Sequence, residues 1–263
     1  MHPLNALIFD VDGTLADTER DGHRVAFNRA FAEAGLDWVW DEALYGALLA
    51  VTGGKERIHH YLHHYNQAFQ QPVDLAGFIA GLHRAKTAHY TQLLGEGLIP
   101  LRPGVQRLLE EARAAGVRLA VATTTTPENV TALLESTLGS EGCSWFEVIA
   151  AGDIVPAKKP APDIYTWAMA QLALPPEQCL AIEDSDNGVR SVLDAGIRSL
   201  LVTTNGYTAE QNFSGASLVV DQLGEHGRPM TLLGGELATM MQGRAMVDLE
   251  LLRVLHQQTV EKS

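Results

Sequence analysis

Short apolar runs punctuate the chain at 6–10, 117–123, 147–151, 179–183, 199–203 and 217–220. Several are rich in Val, Ile and Leu, the pattern of strands buried on both faces of a parallel sheet. Helical periodicity fills the intervals 104–116, 127–138, 162–172 and 186–195, with Gly116 and Gly196 placed to stop two of these helices. Strand alternating with helix predicts an α/β protein with a Rossmann-like parallel sheet core. Residues 17–97 break the alternation: helix-like patterns at 20–35, 41–50, 54–69 and 74–94 follow one another without a strand. The predicted organisation is therefore a core from 1–16 and 98–263 carrying an inserted helical cap, 17–97, with hinges near 15–18 and 95–100. The tail, 230–257, reads as one or two terminal helices packed through Met246, Leu249, Leu252 and Leu255.

The first apolar run, Ala6-Leu7-Ile8-Phe9, ends in Asp10-Val11-Asp12-Gly13-Thr14. Residues two apart on an extended segment point the same way, so Asp10 and Asp12 can face one site. One carboxylate can attack phosphorus and split a hard displacement into two easier ones. The other can protonate the leaving oxygen and later deprotonate water. The two tasks need different protonation states, which neighbouring carboxylates help to separate. Gly13 permits the turn, and the Thr14 hydroxyl is expected to fix it.

Ligands of open α/β sheets sit beyond the carboxyl ends of the strands, and three further strand ends carry suitable chemistry. The run Leu119–Ala122 is followed by Thr123-Thr124-Thr125-Thr126-Pro127. A helix is expected to start at Pro127 with Thr126 as its cap, and hydroxyls beside helix N-terminal amides cradle phosphate. Lys159 lies in Lys158-Lys159-Pro160-Ala161-Pro162, a stiff segment presenting a compact positive charge. The run Cys179–Ile182 ends in Glu183-Asp184-Ser185-Asp186, hard oxygen donors of the kind Mg²⁺ prefers.

Charge and length narrow the field. A net charge of −13 over 263 residues disfavours nucleic acid as a partner. It also means that an anionic substrate needs local cations or a metal. No apolar run is long enough to span a membrane. With a strand expected from residue 6, no signal or transit peptide is expected. Cys143 and Cys179 form no metal or disulfide pattern, so a reducing, cytoplasmic setting is expected. His59, His60, His63 and His64 read as a solvated helix face, since no carboxylate completes a zinc motif.

The four strand-end motifs, in this order, resemble those of the haloacid-dehalogenase-like phosphotransferases, from Leu4 to about Asp221. The resemblance implies that Asp10 is the nucleophile and forms an aspartyl-phosphate. It implies that Asp12 is the acid and base, that Thr123 holds the phosphoryl group beside Thr124, and that Lys159 neutralises phosphoryl and nucleophile. Mg²⁺ would be held by Asp10, Asp184 and the backbone carbonyl of Asp12, with Asp186 close by and Glu183 supporting Lys159. Asp17-Thr18-Glu19 and His23–Asn28 resemble the subgroup with a small helical cap, which includes β-phosphoglucomutases, phosphoglycolate phosphatases and CbbY-type sugar-bisphosphate phosphatases. Leu44-Tyr45-Gly46, Gly53–Arg57, Leu98–Gly104 and Gly206-Tyr207-Thr208 resemble the CbbY type in particular.

Members of that type release xylulose 5-phosphate from xylulose 1,5-bisphosphate, an inhibitor of the carboxylase of the Calvin cycle. The implied activity is thus a Mg²⁺-dependent sugar-bisphosphate phosphatase acting in carbon fixation. A bisphosphate needs a second anion site, for which Lys55, Arg57 and Lys86 are candidates, with Glu19 and His23 for sugar hydroxyls. The alternatives are a β-phosphoglucomutase-like phosphomutase, a phosphoglycolate or broad sugar-phosphate phosphatase, and a binding protein with a dormant site. The expected partner is a small anionic sugar phosphate, with no nucleic acid or membrane, and the expected state is a monomer.

Overall fold

The computed structural model describes residues 3–241 and 243–262. β1 (Ala6–Phe9) leads through a π-helical turn at Glu19–His23 into four helices: α1 (Arg24–Glu33), α2 (Glu42–Leu48), α3 (Gly54–His64) and α4 (Leu75–Gly95). The alternating part follows as α5 (Val105–Ala114), β2 (Arg118–Thr123), α6 (Pro127–Leu138), β3 (Val148–Ala151), α7 (Asp163–Leu172), β4 (Cys179–Glu183), α8 (Asp186–Asp194) and β5 (Ser199–Thr203). β6 (Leu218–Val220), β7 (Leu232–Gly234) and α9 (Leu249–Lys262) complete the chain.

Among the described residues seven strands form one sheet in the order β3-β2-β1-β4-β5-β6-β7, parallel except for the last pair. Alternating side chains along the strands feed two cores. Leu7 and Phe9 join α5, α6 and α9 on one face, whereas Ala6 and Ile8 join α7 and α8 on the other. Register sets the rim. Phe9 pairs with both Val121 and Ile182, so Asp10 emerges level with the end of β4, and its amide donates to the Ile182 carbonyl at 3.0 Å.

Residues of α1 to α4 surround a third, aromatic-rich cluster containing Phe27, Phe31, Trp38, Trp40, Tyr45 and Tyr61. The far end of α4 does not belong to it. Tyr90, Leu93 and Leu94 pack into the sheet-side core, so this one helix spans both clusters.

The tail differs from the expected pair of helices. Its first part is the edge strand β7, antiparallel to β6, and a short 3₁₀ turn at Ala238–Met241. Only the second part is helical, and α9 runs beyond residue 257. Leu249, Leu252 and Leu255 are buried as expected, joined by Val247 and Leu251, while Met246 lies before the helix and is only half-buried. Leu232–Gly234 is three residues, too short to distinguish strand from helix by periodicity. Pairing with β6 decided it. Among the described residues no helix is long and apolar enough to cross a membrane.

Candidate active site at the sheet rim

Asp10, Asp12, Thr123, Thr124, Lys159 and Asp184 line one cavity of about 290 Å³ at the carboxyl ends of β1, β2 and β4. Arg57 and Glu19 reach it from the helical layer, and Asn205, Tyr207 and Asp186 close its sides.

Lys159 Nζ donates to Asp10 Oδ1 at 2.7 Å and to Glu183 Oε1 at 2.6 Å. Tyr165 donates its hydroxyl to the same Glu183 oxygen at 2.6 Å. All four side chains are buried. Burial opposes the charge on Lys159, but Asp10 and Glu183 overcome it and raise the ammonium further above its usual range. Asp10 is pushed up to about 7, chiefly by burial, with Glu183 and Asp12 adding to the effect and Lys159 opposing it.

Asp12, two residues on, stands in the opposite environment. Its Oδ1 accepts from the Thr18 hydroxyl at 2.5 Å and lies 2.7 Å from His23 Nε2. Lys86 Nζ lies 2.9 Å from His23 Nδ1. An ammonium only donates, so Nδ1 accepts and Nε2 carries the proton that reaches Asp12. Burial works against ionisation of Asp12, yet His23, Thr18 and Lys86 together hold its carboxyl below the ordinary range. Lys86 itself is lowered to about 8 by burial.

The loop between these carboxylates is held by its backbone. Gly13 has φ +85°, and a Cβ there would lie 2.2 Å from Asp184 Oδ2, so only glycine fits. The expected Thr14 hydroxyl contact is absent among the described residues; instead the Thr14 amide donates to Val11 and the Gly13 amide to Ala16. Arg102, buried, adds the strongest clamp, donating to the carbonyls of Gly13, Thr204 and Asp221. Thr126 likewise occupies the cap position of α6 without capping it through its hydroxyl, which has no partner among the described residues. The Thr123 hydroxyl is turned to the Thr125 amide at 3.3 Å.

Asp10, Glu183 and Asp184 each offer an oxygen within 4.8 Å of the others. Glu183 Oε1 is already engaged by Lys159 and Tyr165, and Asn205 donates to Asp184 Oδ2 at 2.6 Å. The remaining oxygens of Asp10 and Asp184 are hard donors in a buried place. Burial, then Asp10 and Glu183, raise the Asp184 carboxyl well above its usual range, a repulsion that a divalent cation would relieve. The donor set therefore fits Mg²⁺. The Asp12 side chain is committed to Thr18 and His23.

In the helical layer the tyrosine of α2 organises the candidates. Tyr45 donates its hydroxyl to Glu19, and Arg57 donates from Nη1 to the Tyr45 oxygen at 2.8 Å. Arg57 is only 7% exposed, and its Nε has no partner among the described residues. Lys55 is elsewhere. It lies outside the cavity, 2.5 Å from Asp153, whose other oxygen is 3.0 Å from Lys158. Lys158 also pairs with Glu56 at 3.0 Å, so alternating charges tie α3 to the loop after β3. The histidines of α3 form two tilted ring pairs, with His59 and His63 nitrogens 3.2 Å apart, and no third ligand joins them among the described residues.

Thr18, Arg102, Tyr165 and Asn205 were not legible as site residues. Arg102, Tyr165 and Asn205 act through partners distant in sequence, as Tyr165 does through Glu183, while Thr18 reaches Asp12 across the turn, six residues away.

Comparison with known proteins follows the same outline. The family profile described as haloacid dehalogenase-like hydrolase matches residues 4–196. Protein CbbY of Cereibacter sphaeroides is 49% identical over 224 residues, covering 85% of this chain and 94% of the relative. The crystal structure of CbbY from Rhodobacter sphaeroides in complex with phosphate superposes with a TM-score of 0.78 at 49% identity, covering 83% of this chain and 94% of the other. A D10N mutant of that protein, in complex with xylulose-(1,5)bisphosphate, gives the same TM-score and coverages at 48% identity.

Proposed function

This chain belongs to the haloacid dehalogenase-like hydrolases and, within them, to the CbbY type, and from that premise we propose that this phosphatase hydrolyses xylulose 1,5-bisphosphate to xylulose 5-phosphate and phosphate. The observation that carries the proposal is the convergence of Asp10, Asp12, Thr123, Lys159 and Asp184 on one cavity at the sheet rim. A relative of this type bound to xylulose-(1,5)bisphosphate supports the substrate.

Asp10 attacks the phosphorus in line and forms an aspartyl-phosphate. Asp12 protonates the departing sugar oxygen, then takes a proton from the water that cleaves the acyl phosphate. In the free protein His23 and Thr18 keep Asp12 ionised. The base is therefore preset, and the proton for the acid step is gained as the phosphate dianion enters beside it. Lys159, fixed by Glu183 and Tyr165, neutralises the nucleophile and the transferring oxygens. Mg²⁺, held by Asp10, Asp184 and the Asp12 carbonyl, would supply charge neutralisation of the phosphoryl group when bound. Residues 17–97 serve as a cap whose Arg57 and Glu19 grip the remote part of the sugar, while closure excludes bulk water.

Phosphate release from xylulose 1,5-bisphosphate, ribulose 1,5-bisphosphate, phosphoglycolate and β-glucose 1-phosphate, with Mg²⁺ and with EDTA, tests the proposal. A strong metal-dependent preference for xylulose 1,5-bisphosphate is expected. Flat activity across the panel would remove the substrate assignment, and an isomeric sugar phosphate without inorganic phosphate would replace hydrolysis by a mutase reaction.

A further inference from the structure

Three histidines are committed to partners elsewhere in the fold: His23 to Asp12 and Lys86, His89 to Glu33, and His256 to Ser199. Two on α3 are committed only to each other. His59 and His63 are both exposed and lie outside the catalytic cavity. They stand at i and i+4, neighbours on one helix face, and their Nε2 atoms are 3.2 Å apart. Neither ring nitrogen has another hydrogen-bond partner among the described residues. Two nitrogens held about 2.0–2.1 Å from one ion stand roughly 2.9–3.4 Å apart at square or tetrahedral angles. The observed separation is thus the bite of a single metal ion.

The surroundings favour a cation. His63 belongs to the last turn of α3, where unpaired carbonyls carry the negative end of the helix dipole. The net charge of −13 attracts dications at longer range. His60 and His64 form a neighbouring ring pair, but His60 is half-buried beside Tyr65 and no nitrogen contact joins these two rings among the described residues. We propose that His59 and His63 form a two-histidine site for a transition-metal dication, Zn²⁺ or Ni²⁺, with water completing the coordination. Imidazole suits these ions, whereas Mg²⁺ prefers carboxylate and water, so this site and the sheet rim select different metals by ligand chemistry. Structural zinc sites close with four ligands; a site with two is open and exchangeable. On binding, both Nε2 atoms present lone pairs to the ion and both ring protons sit on Nδ1, a change of tautomer with no net change of charge on the rings.

Calorimetric titration of the full chain with Zn²⁺, under saturating Mg²⁺ to occupy the rim, tests the site in wild type, His59→Gln, His63→Gln and His60→Gln. Wild type should take up one ion that both His59→Gln and His63→Gln lose, and His60→Gln should keep it. Uptake unchanged in the first two variants, or lost in only one of them, would overturn the shared site. Loss in His60→Gln as well would overturn the assignment to this pair. The substituted rings at 59 and 63 are exposed, so phosphate release with Mg²⁺ alone should stay at the wild-type level and reports that the variants are folded. Ring-nitrogen NMR of the wild type reads the ligands without any variant. Two Nε2 signals should move together as Zn²⁺ is added, and signals that stay in place would overturn the proposal.

Discussion

The rim of the sheet and the helical layer above it build their halves of the site by different means. At the rim, Asp10, Thr123 and Asp184 lie at or just beyond strand ends that parallel register aligns, and Lys159 reaches them from the loop between β3 and α7. Lys159 is buried and bound to Asp10, Glu183 and Tyr165 in one network, beside which Asp184 is left facing Asp10 and Glu183. In the helical layer Glu19, Tyr45, Arg57 and Lys86 come from four separate segments, brought together by an aromatic cluster. That half keeps an unspent buried polar atom, the Arg57 Nε, among the described residues. A fixed rim suits the invariant chemistry of phosphoryl transfer, whereas a surface with an unspent donor suits recognition.

Breaking the rim should cost the most. Asp10→Asn should lower kcat by on the order of 10⁴-fold or more with the fold retained, read as phosphate release alongside circular dichroism. Appreciable remaining turnover would contradict the nucleophile. Lys159→Met leaves Asp10 and Glu183 buried together without their cation. Removing one partner of such a group costs about 3–5 kcal/mol, and urea unfolding should register it. A loss below about 1 kcal/mol would mean that the network is not bound as described.

Disrupting the helical layer should act on substrate choice. Arg57→Ala should raise KM for a bisphosphate by about ten- to a hundredfold, as expected for a charge-assisted contact. Its effect on a small monophosphate should be much less, and equal losses on both would remove the distinction between the two halves.

A pH experiment sharpens the contrast between the two carboxylates. The folded value of Asp10, about 7, exceeds its ordinary 3.8, so the metal-free protein binds this proton more tightly folded than unfolded. The resulting stabilisation is full below the unfolded value and is lost as pH rises through about 7. Melting of wild type relative to Asp10→Asn in EDTA should therefore fall between pH ~4 and pH ~7. Mg²⁺ should cancel that fall, and an identical slope in both proteins would refute the raised value. The smallest effect is expected at Lys55→Ala. Its pair with Asp153 is half-exposed, so stability and bisphosphate KM should change by less than about 1 kcal/mol equivalent.

Before any tertiary contact is considered, the local pattern determined the α/β class, the inserted helices and the four strand-end motifs. Hydrophobic alternation and the loops that interrupt it are short-range properties. Asp10 and Asp12, expected on one side of an extended segment, both line the cavity, although β1 itself ends at Phe9. The tertiary structure decided the rest. It made β7 a strand through its pairing with β6, gave Asp10 and Asp12 opposite surroundings through Lys159 and His23, and sent Lys55 to Asp153. Sequence spacing states which groups are near along the chain. Protonation, pairing and cavity shape depend on groups that fold in from far along it, in a medium where burial magnifies every charge.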